Sequence, residues 1–320
     1  MLVLASIVYQ NMPSQLIALD WGTSRLRAYL LDDVSRVVEE RNEPFGIMNL
    51  PEGGFAAAFH STCGDWVAAE PELPILASGM VGSRLGWAEV PYHECPADLA
   101  GLASQLGEVQ LDNGRTLYVV SGVSMDPEGQ VPDVMRGEET QVYGAVGEAD
   151  NATIVLPGTH SKWVRVENGA ITSFATFMTG ELYELMSTQS ILAKTMDVTS
   201  AFDPVAFDDG VSAGVDGFVA DGVLHHLFGV RSLSLFGRLT PSAASSYLSG
   251  LLVGAEVGGA TRAGRTESGT RLIILGDPEI TERYMDALDV AGLSGEPGPP
   301  NAAAAGLYRI AARAGLFGGN

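Results

Sequence analysis

Hydrophobic and polar positions alternate along the chain with two periods, and their order predicts its elements. Residues 16–21 (LIALDW) form a short apolar run, residues 24–31 alternate in part, and residues 36–43 are more polar. Gly22 with Thr23, and Asp32 with Asp33, punctuate these runs, so three consecutive strands are predicted. Phe55, Phe59, Trp66 and Val67 fall on one side of a helix predicted over 54–69. A buried strand over 74–80, a short helix over 96–106, a strand over 115–123 and a helix over 137–146 complete the order βββαβαβα. The pattern then restarts. Residues 152–158 (ATIVLPG) read as a strand, and 163–166 and 171–177 as two more, hinged at Asn168-Gly169, a hairpin dipeptide. A long helix over 180–196, a helix over 241–262, a strand over 271–276 and a helix over 279–291 follow, while residues 198–240 give no clear period. A Gly/Pro break over 295–300 precedes a last helix over 302–316.

The expected fold is therefore α/β, with two halves that each open with three strands: residues 1–148 and 149–320, the helix over 302–316 packing back on the first half. A repeat of structure without a repeat of sequence is a stronger clue than any single motif. In such a fold the Gly-Thr turns of the two opening hairpins are expected to face a central cleft.

Composition narrows the function. Of 320 residues 46% are apolar and 18% charged, which suits an ordered chain with a large core. Eighteen cations against 39 acidic residues give a net charge of −21. So acidic a surface repels phosphate backbones and anionic lipid, which argues against nucleic acid and membrane partners. Lys162 and Lys194 are the only lysines, the other sixteen cations being arginine, so an anionic substrate must be held by local donors. Two cysteines, Cys63 and Cys95, form no CxxC pair and fit a reduced, cytoplasmic compartment. No apolar run approaches the ~20 residues of a membrane span. The opening MLVLASIVYQNMPSQ lacks the basic start of a signal peptide, and Met12 is an alternative start.

Six constellations carry candidate chemistry. Asp20-Trp21-Gly22-Thr23-Ser24 ends a strand in an Asp and a turn whose N–H groups and hydroxyls suit a phosphate, with Asp20 a candidate Mg²⁺ ligand. Gly158-Thr159 occupies the same place in the second half, with Lys162 beside it. His160 reads as a turn residue, since no His or Cys stands at ligand spacing from it. Arg136-Gly137-Glu138-Glu139 opens a helix. Carboxylates there suit the helix dipole, and one beside a cleft can also act as a general base, while Arg136 offers a fork for a substrate carboxylate. Ser78, Gly79, Met80 and Ser83 lie at a strand end where glycine permits close backbone approach, with Trp87 nearby. Gly250, Gly254 and Gly258 recur at helical spacing, a pattern of close packing as much as of ligand contact. Gly276-Asp277 ends one strand and opens a helix, a natural place for an adenosine.

Together the segments 18–30 (ALDWGTSRLRAYL), 77–87 (ASGMVGSRLGW), 134–145 (VMRGEETQVYGA), 156–164 (LPGTHSKWV), 177–182 (FMTGEL) and 248–257 (LSGLLVGAEV) resemble the 2-dehydro-3-deoxygalactonokinase family. That family lies within the acetate and sugar kinase/Hsp70/actin superfamily. The resemblance implies two ribonuclease H-like, actin-like ATPase halves. It implies ATP-dependent phosphorylation of the 6-hydroxyl of 2-dehydro-3-deoxy-D-galactonate in galactonate catabolism, with ATP and Mg²⁺. It implies Glu138 as base with Glu139 in reserve. Asp20, Gly22, Thr23, Ser24, Gly158, Thr159, Lys162, Gly254, Gly276 and Asp277 would serve the nucleotide and metal. Ser78, Gly79, Met80, Ser83, Trp87 and Arg136 would serve the sugar acid. A homodimer is left open. Two alternatives stand beside this reading: a same-fold kinase for another keto-deoxy sugar acid, such as the gluconate epimer, and a nucleotide-binding sensor without transfer activity.

Overall fold

The computed structural model describes residues 14–129, 131–220, 222–266 and 269–317. It divides into two compact units. One takes the chain up to Asp150, Glu167–Ser173 and the carboxy-terminal segment from Pro299; the other takes Asn151–Val166 and Phe174–Gly298.

In the first unit β1 (Ser14–Trp21), β2 (Leu26–Asp32) and β3 (Val37–Glu43) form an antiparallel meander. After helix α1 (Gly54–Ala69), β4 (Ile75–Gly79) adds parallel to β1, and Trp21 pairs with Gly79. Strand β5 (His93–Glu94) and helix α2 (Leu99–Ser104) follow. The predicted helix over 96–106 is thus cut short: Asp98 caps it through Gly101 N at 2.6 Å, and the chain then turns into β6 (Gly107–Gln110). Strand β7 (Thr116–Val119) pairs antiparallel with β6 and parallel with β4, which gives the sheet order β3-β2-β1-β4-β7-β6. Strands β8 (Val123–Met125) and β9 (Asp133–Met135) join β5 in a small second sheet that no period in the sequence announced, because its strands are only two or three residues long. Helix α3 (Glu138–Ala145) follows at once. Ile17, Leu19 and Trp21 of β1 bury against Phe59, Cys63 and Trp66 of α1.

The chain from Ala152 repeats the opening. Strands β10 (Ala152–Leu156), β11 (Ser161–Glu167) and β12 (Ala170–Phe177) form a meander. Asn168 (φ 51°) and Gly169 (φ 76°) both take positive φ, as the hairpin reading required. Helix α4 (Thr179–Thr188) is shorter than predicted. Ser190 Oγ binds Met186 O at 2.6 Å and receives Leu192 N at 3.0 Å, which diverts the chain into one 3-10 turn, Leu192–Thr195. The stretch without a clear period holds two helices, α5 (Pro204–Ala220) and α6 (Val223–Leu235), parted at Gly222 with φ +80°. Helix α7 (Pro241–Arg262) crosses α5 so closely that a Cβ on Gly210, Gly214, Gly250 or Gly254 would overlap the backbone of the facing helix. Small residues replace the large apolar stripe that a periodicity search detects. Strand β13 (Arg271–Ile274) runs parallel to β10, helix α8 (Pro278–Val290) follows, and β14 (Glu296–Pro297) lies within the predicted break, giving the order β12-β11-β10-β13-β14.

The last helix, α9 (Ala302–Arg313), belongs to the first unit. It crosses α3 where a Cβ on Gly144 would overlap Ala302 O and one on Gly306 would overlap Thr140 O. Arg309 donates to the carbonyls of Tyr143 and Val146, capping the C-terminal turn of α3. Among the described residues no helix is long and apolar enough to cross a membrane.

Candidate active site

Parallel pairing of β1 with β4 brings their C-terminal ends to one edge of the first unit's sheet. Gly79 takes φ +91°, and a Cβ there would stand 2.7 Å from Trp21 O. Gly137 takes φ +108°, and its Cβ would stand 3.1 Å from Gly79 Cα. Only glycine permits these approaches. They gather Asp20, the turn 22–24, Ser78 to Met80 and the start of α3 at one place.

The first turn is closed by Gly22 N donating to Arg25 O at 2.9 Å, which leaves Thr23 and Ser24 exposed. A strap that sequence reasoning missed supports it from behind. Ile47 N and Met48 N donate to Gly22 O and Thr23 O, each at 3.1 Å, and Trp21 Nε1 donates to Phe45 O at 2.7 Å. Gly46 lies flat against the turn, where any Cβ would overlap Thr23 and Ser24.

Three carboxylates meet here in different environments. Asp20 keeps 18% of its side chain exposed, with Arg27 Nη1 at 3.7 Å. Burial raises its pKa, Arg27 opposes the rise, and Glu138 adds to it. Glu138 is half-buried, and its Oε2 accepts from Arg136 N at 2.9 Å. Glu139 is 0% exposed, and both its oxygens accept from Gly137 N, at 2.9 and 2.7 Å. Burial first, and the neighbouring Glu138 second, push its carboxyl up to about 8. Thr140 Oγ1 donates to Gly137 O at 2.6 Å and lies 3.4 Å from Ser78 Oγ, which ties α3 to β4.

The Arg136 guanidinium lies over the Tyr92 ring, 4.3 Å from its centroid, and Nη2 donates to Val90 O at 2.8 Å. Its Nε and Nη1, and Ser83 Oγ, are buried without a hydrogen-bond partner. Met80 opens a 3-10 turn, Met80–Gly82. Trp87 stacks on Phe55 (5.9 Å, 13°) and stands edge-on to Trp21 (5.9 Å, 75°), so its ring is occupied within an aromatic cluster.

In the second unit β10 and β13 again run parallel, so the turn after β10 and the segment 275–277 share an edge. A Cβ on Gly158 would meet nothing within 4 Å, whereas one on Gly180 would overlap Gly158 O. The first turn of α4 thus grips the turn from one side: Glu181 N donates to Thr159 O at 3.0 Å, and Glu181 Oε2 lies 2.5 Å from His160 Nε2. Lys162 is 4% exposed, opposite Leu156, with Nζ donating to His160 O at 3.2 Å. It is not a solvated strand residue. Gly276 and Asp277 are exposed, and a Cβ on Gly276 would come 3.7 Å from Pro157 Cδ. Gly254, by contrast, faces the α5 backbone at Val211.

Glu256 lies in the segment 248–257, where the sequence singles out only the glycines, yet it is 3% exposed and accepts four hydrogen bonds. Oε1 accepts from Ser161 Oγ (2.6 Å) and Trp163 Nε1 (2.8 Å); Oε2 accepts from Tyr284 OH (2.8 Å) and Thr179 Oγ1. The one signal that could have found it is a single carboxylate in an otherwise small and apolar helix. Among the described residues no three His, Cys, Asp or Glu form a group that could hold a metal.

The model of the 2-keto-3-deoxy-galactonokinase family matches residues 20–310. The 2-dehydro-3-deoxygalactonokinase of Escherichia coli K12 is 33% identical over 281 residues, 88% of this chain and 91% of that protein. A crystal structure from Sinorhizobium meliloti matches at TM-score 0.84 and 33% identity, covering 92% of this chain and 98% of that one. The activator of 2-hydroxyisocaproyl-CoA dehydratase from Clostridium difficile, solved with ADPNP, matches at TM-score 0.51 and 12% identity, a likeness of fold alone. The expected α/β fold of two ribonuclease H-like, actin-like ATPase units is the fold of this chain.

Proposed function

The chain belongs to the 2-keto-3-deoxy-galactonokinase family, and from that premise we propose that it moves the γ-phosphoryl group of ATP to the 6-hydroxyl of 2-dehydro-3-deoxy-D-galactonate. It is a sugar-acid kinase, a phosphotransferase with an alcohol acceptor; the family match does not favour the sensor or the epimer reading.

Phosphoryl transfer asks a protein for alignment and charge stabilisation more than for covalent chemistry. Glu138 takes the proton of the attacking hydroxyl. What supports this is its place: half-buried at the start of α3, with one oxygen held by Arg136 N–H and the gathered glycines 79 and 137 behind it. Glu139, both of whose oxygens accept from Gly137 N, is not the base and serves as a neutral support for Glu138. Arg136 and Ser83, whose buried donors lack partners, bind the carboxylate and keto oxygens of the acid, with Ser78, Gly79 and Met80 alongside. Trp87 braces that loop through the aromatic cluster.

The turn Gly22, Thr23 and Ser24 suits phosphate oxygens, and so does the turn with Gly158, Thr159 and Lys162. Open space above Gly158 and the exposed hydroxyls of Thr23 and Ser24 fit such a ligand. Gly276 and Asp277 take the adenosine side. Asp20 would hold Mg²⁺, because it is a partly exposed carboxylate beside the turn 22–24 whose negative charge burial and Glu138 disfavour and Arg27, at 3.7 Å, only partly offsets. One carboxylate is enough when phosphates and water complete the shell. When bound, the ion neutralises charge on the phosphates. A cytoplasmic location is supported by two free cysteines, Cys63 and Cys95.

The test is ADP release from Mg-ATP with 2-dehydro-3-deoxy-D-galactonate, its gluconate epimer, galactonate, or no acceptor. Glu138→Gln is expected to lower kcat by about 10²–10⁴-fold, the usual share of a general base. Equal rates with every acid would remove the stated substrate, and an unaffected variant would remove Glu138 as the base.

A further inference from the structure

Glu256 lies outside the residues assigned to the reaction, although its carboxylate ties α7 to three other elements. Ser161 is the first residue after the turn 157–160, Thr179 is the first residue of α4, Trp163 lies on β11 and Tyr284 on α8. All four donate to it. A carboxylate has about four lone-pair sites, so this one is saturated, and four donors favour its ionised form against the burial that raises its pKa. The Trp163 donor cannot be reversed, since an indole N–H only donates. Two of the bonded residues border the turn. Ser161 carries the chain out of it, and Thr179 begins the helix whose Gly180 and Glu181 press on Gly158 and Thr159.

We propose that Glu256 is a positioning residue for the nucleotide: by holding Ser161 and Thr179 on one carboxylate it locks the turn 158–160 against α4 in the shape that receives phosphate oxygens. The inference rests on the assignment of that turn to phosphate binding. Its ligand class is the polyphosphate of the nucleotide, not the sugar acid, because none of the four donors lies in the unit that carries Glu138 and Arg136.

The test compares KM for ATP, KM for the acceptor, kcat and Tm in wild-type enzyme, Glu256→Gln, Thr179→Val, Thr179→Ser and Gly158→Val. In Glu256→Gln the amide keeps the volume, and the Thr179 and Tyr284 hydroxyls can turn to accept, so the fold survives while two bonds reverse. Expected is an ATP KM raised about tenfold or more, the scale of a lost hydrogen bond to a charge, with acceptor KM within about twofold and little change in Tm. Thr179→Val should share the defect, and Thr179→Ser, which keeps the hydroxyl, should restore it. If Glu256→Gln fails to fold, the two Thr179 variants decide alone. Equal rises in both KM values, or a lower Tm with unchanged ATP KM, would make Glu256 a packing residue only and overturn the proposal. Gly158→Val separates this from failure of the underlying reading. Its side chain enters open space, so it should raise ATP KM by blocking the turn. If it does not, the turn binds no phosphate and both fall. If it does while Glu256→Gln is silent, the turn stands and the role of Glu256 falls.

Discussion

At the first turn of α3 two adjacent carboxylates differ by a rotation of about 100° and therefore in nearly everything else. Glu138 points where it is half-buried; Glu139 is enclosed, with a carboxyl pushed up to about 8 against an ordinary 4.5. The sign follows directly. Below pH 4.5 folded and unfolded chains both hold the proton; between 4.5 and 8 only the folded chain keeps it, so Glu139 removes stability as pH rises, and above 8 the loss is complete. The full loss is on the order of a few kcal/mol. Glu139→Gln, which mimics the neutral acid and can still accept from Gly137 N, should therefore gain stability relative to wild type between pH 5 and 9. Urea denaturation at both pH values checks it, and a constant difference would mean that Glu139 is ionised throughout.

At the scale of elements, glycine sets the distance between helices. Gly144 of α3 and Gly306 of α9 each lie against a carbonyl of the other helix. Alanine normally stabilises a helix interior by up to about 1 kcal/mol over glycine. Here Gly144→Ala should instead destabilise by about 1–3 kcal/mol, the usual cost of overpacking, because α9 must move off α3. Gly229 of α6, whose Cβ would meet nothing within 4 Å, is the control. Gly229→Ala should raise stability by up to ~1 kcal/mol. Thermal melts of the two variants should move in opposite directions. Gly144→Ala should also lower kcat, because α3 carries Glu138 at its other end.

For the whole molecule the governing number is the net charge of −21. Like charges at that density oppose the compact state, and salt screens them over about 10 Å at 0.1 M. Raising KCl from 0.02 to 0.5 M should stabilise the protein by roughly 1 kcal/mol, about 2–4 °C in Tm for units of this size. A flat Tm would mean that salt weakens paired charges, such as Arg41 with Glu39 and Asp65, as much as it relieves the repulsion. The same charge gives local donors their importance: Arg136, with two buried nitrogens lacking partners, is a cation that bulk electrostatics cannot replace.

Much of this is legible in the amino-acid sequence alone. Apolar runs ending in Gly-Thr turns place both opening hairpins, Asn168-Gly169 places a third turn, and the acidic helix start singles out Glu138 and Glu139. These features are local: a strand, a turn or a cap is decided by a few neighbouring residues and the φ values they tolerate. Contacts distant in sequence are not legible there. Gly46 matters only because Thr23 lies against it, and Gly254 only because α5 crosses there. Ser161, Trp163, Thr179 and Tyr284 become partners only when three elements converge on Glu256. The stretch 198–240 hides two helices, one of which packs on small residues and leaves no large apolar stripe to detect. Which of two neighbouring glutamates meets solvent, and which is held neutral, is settled by burial. Burial is a property of everything packed around a residue, and no local sequence specifies it.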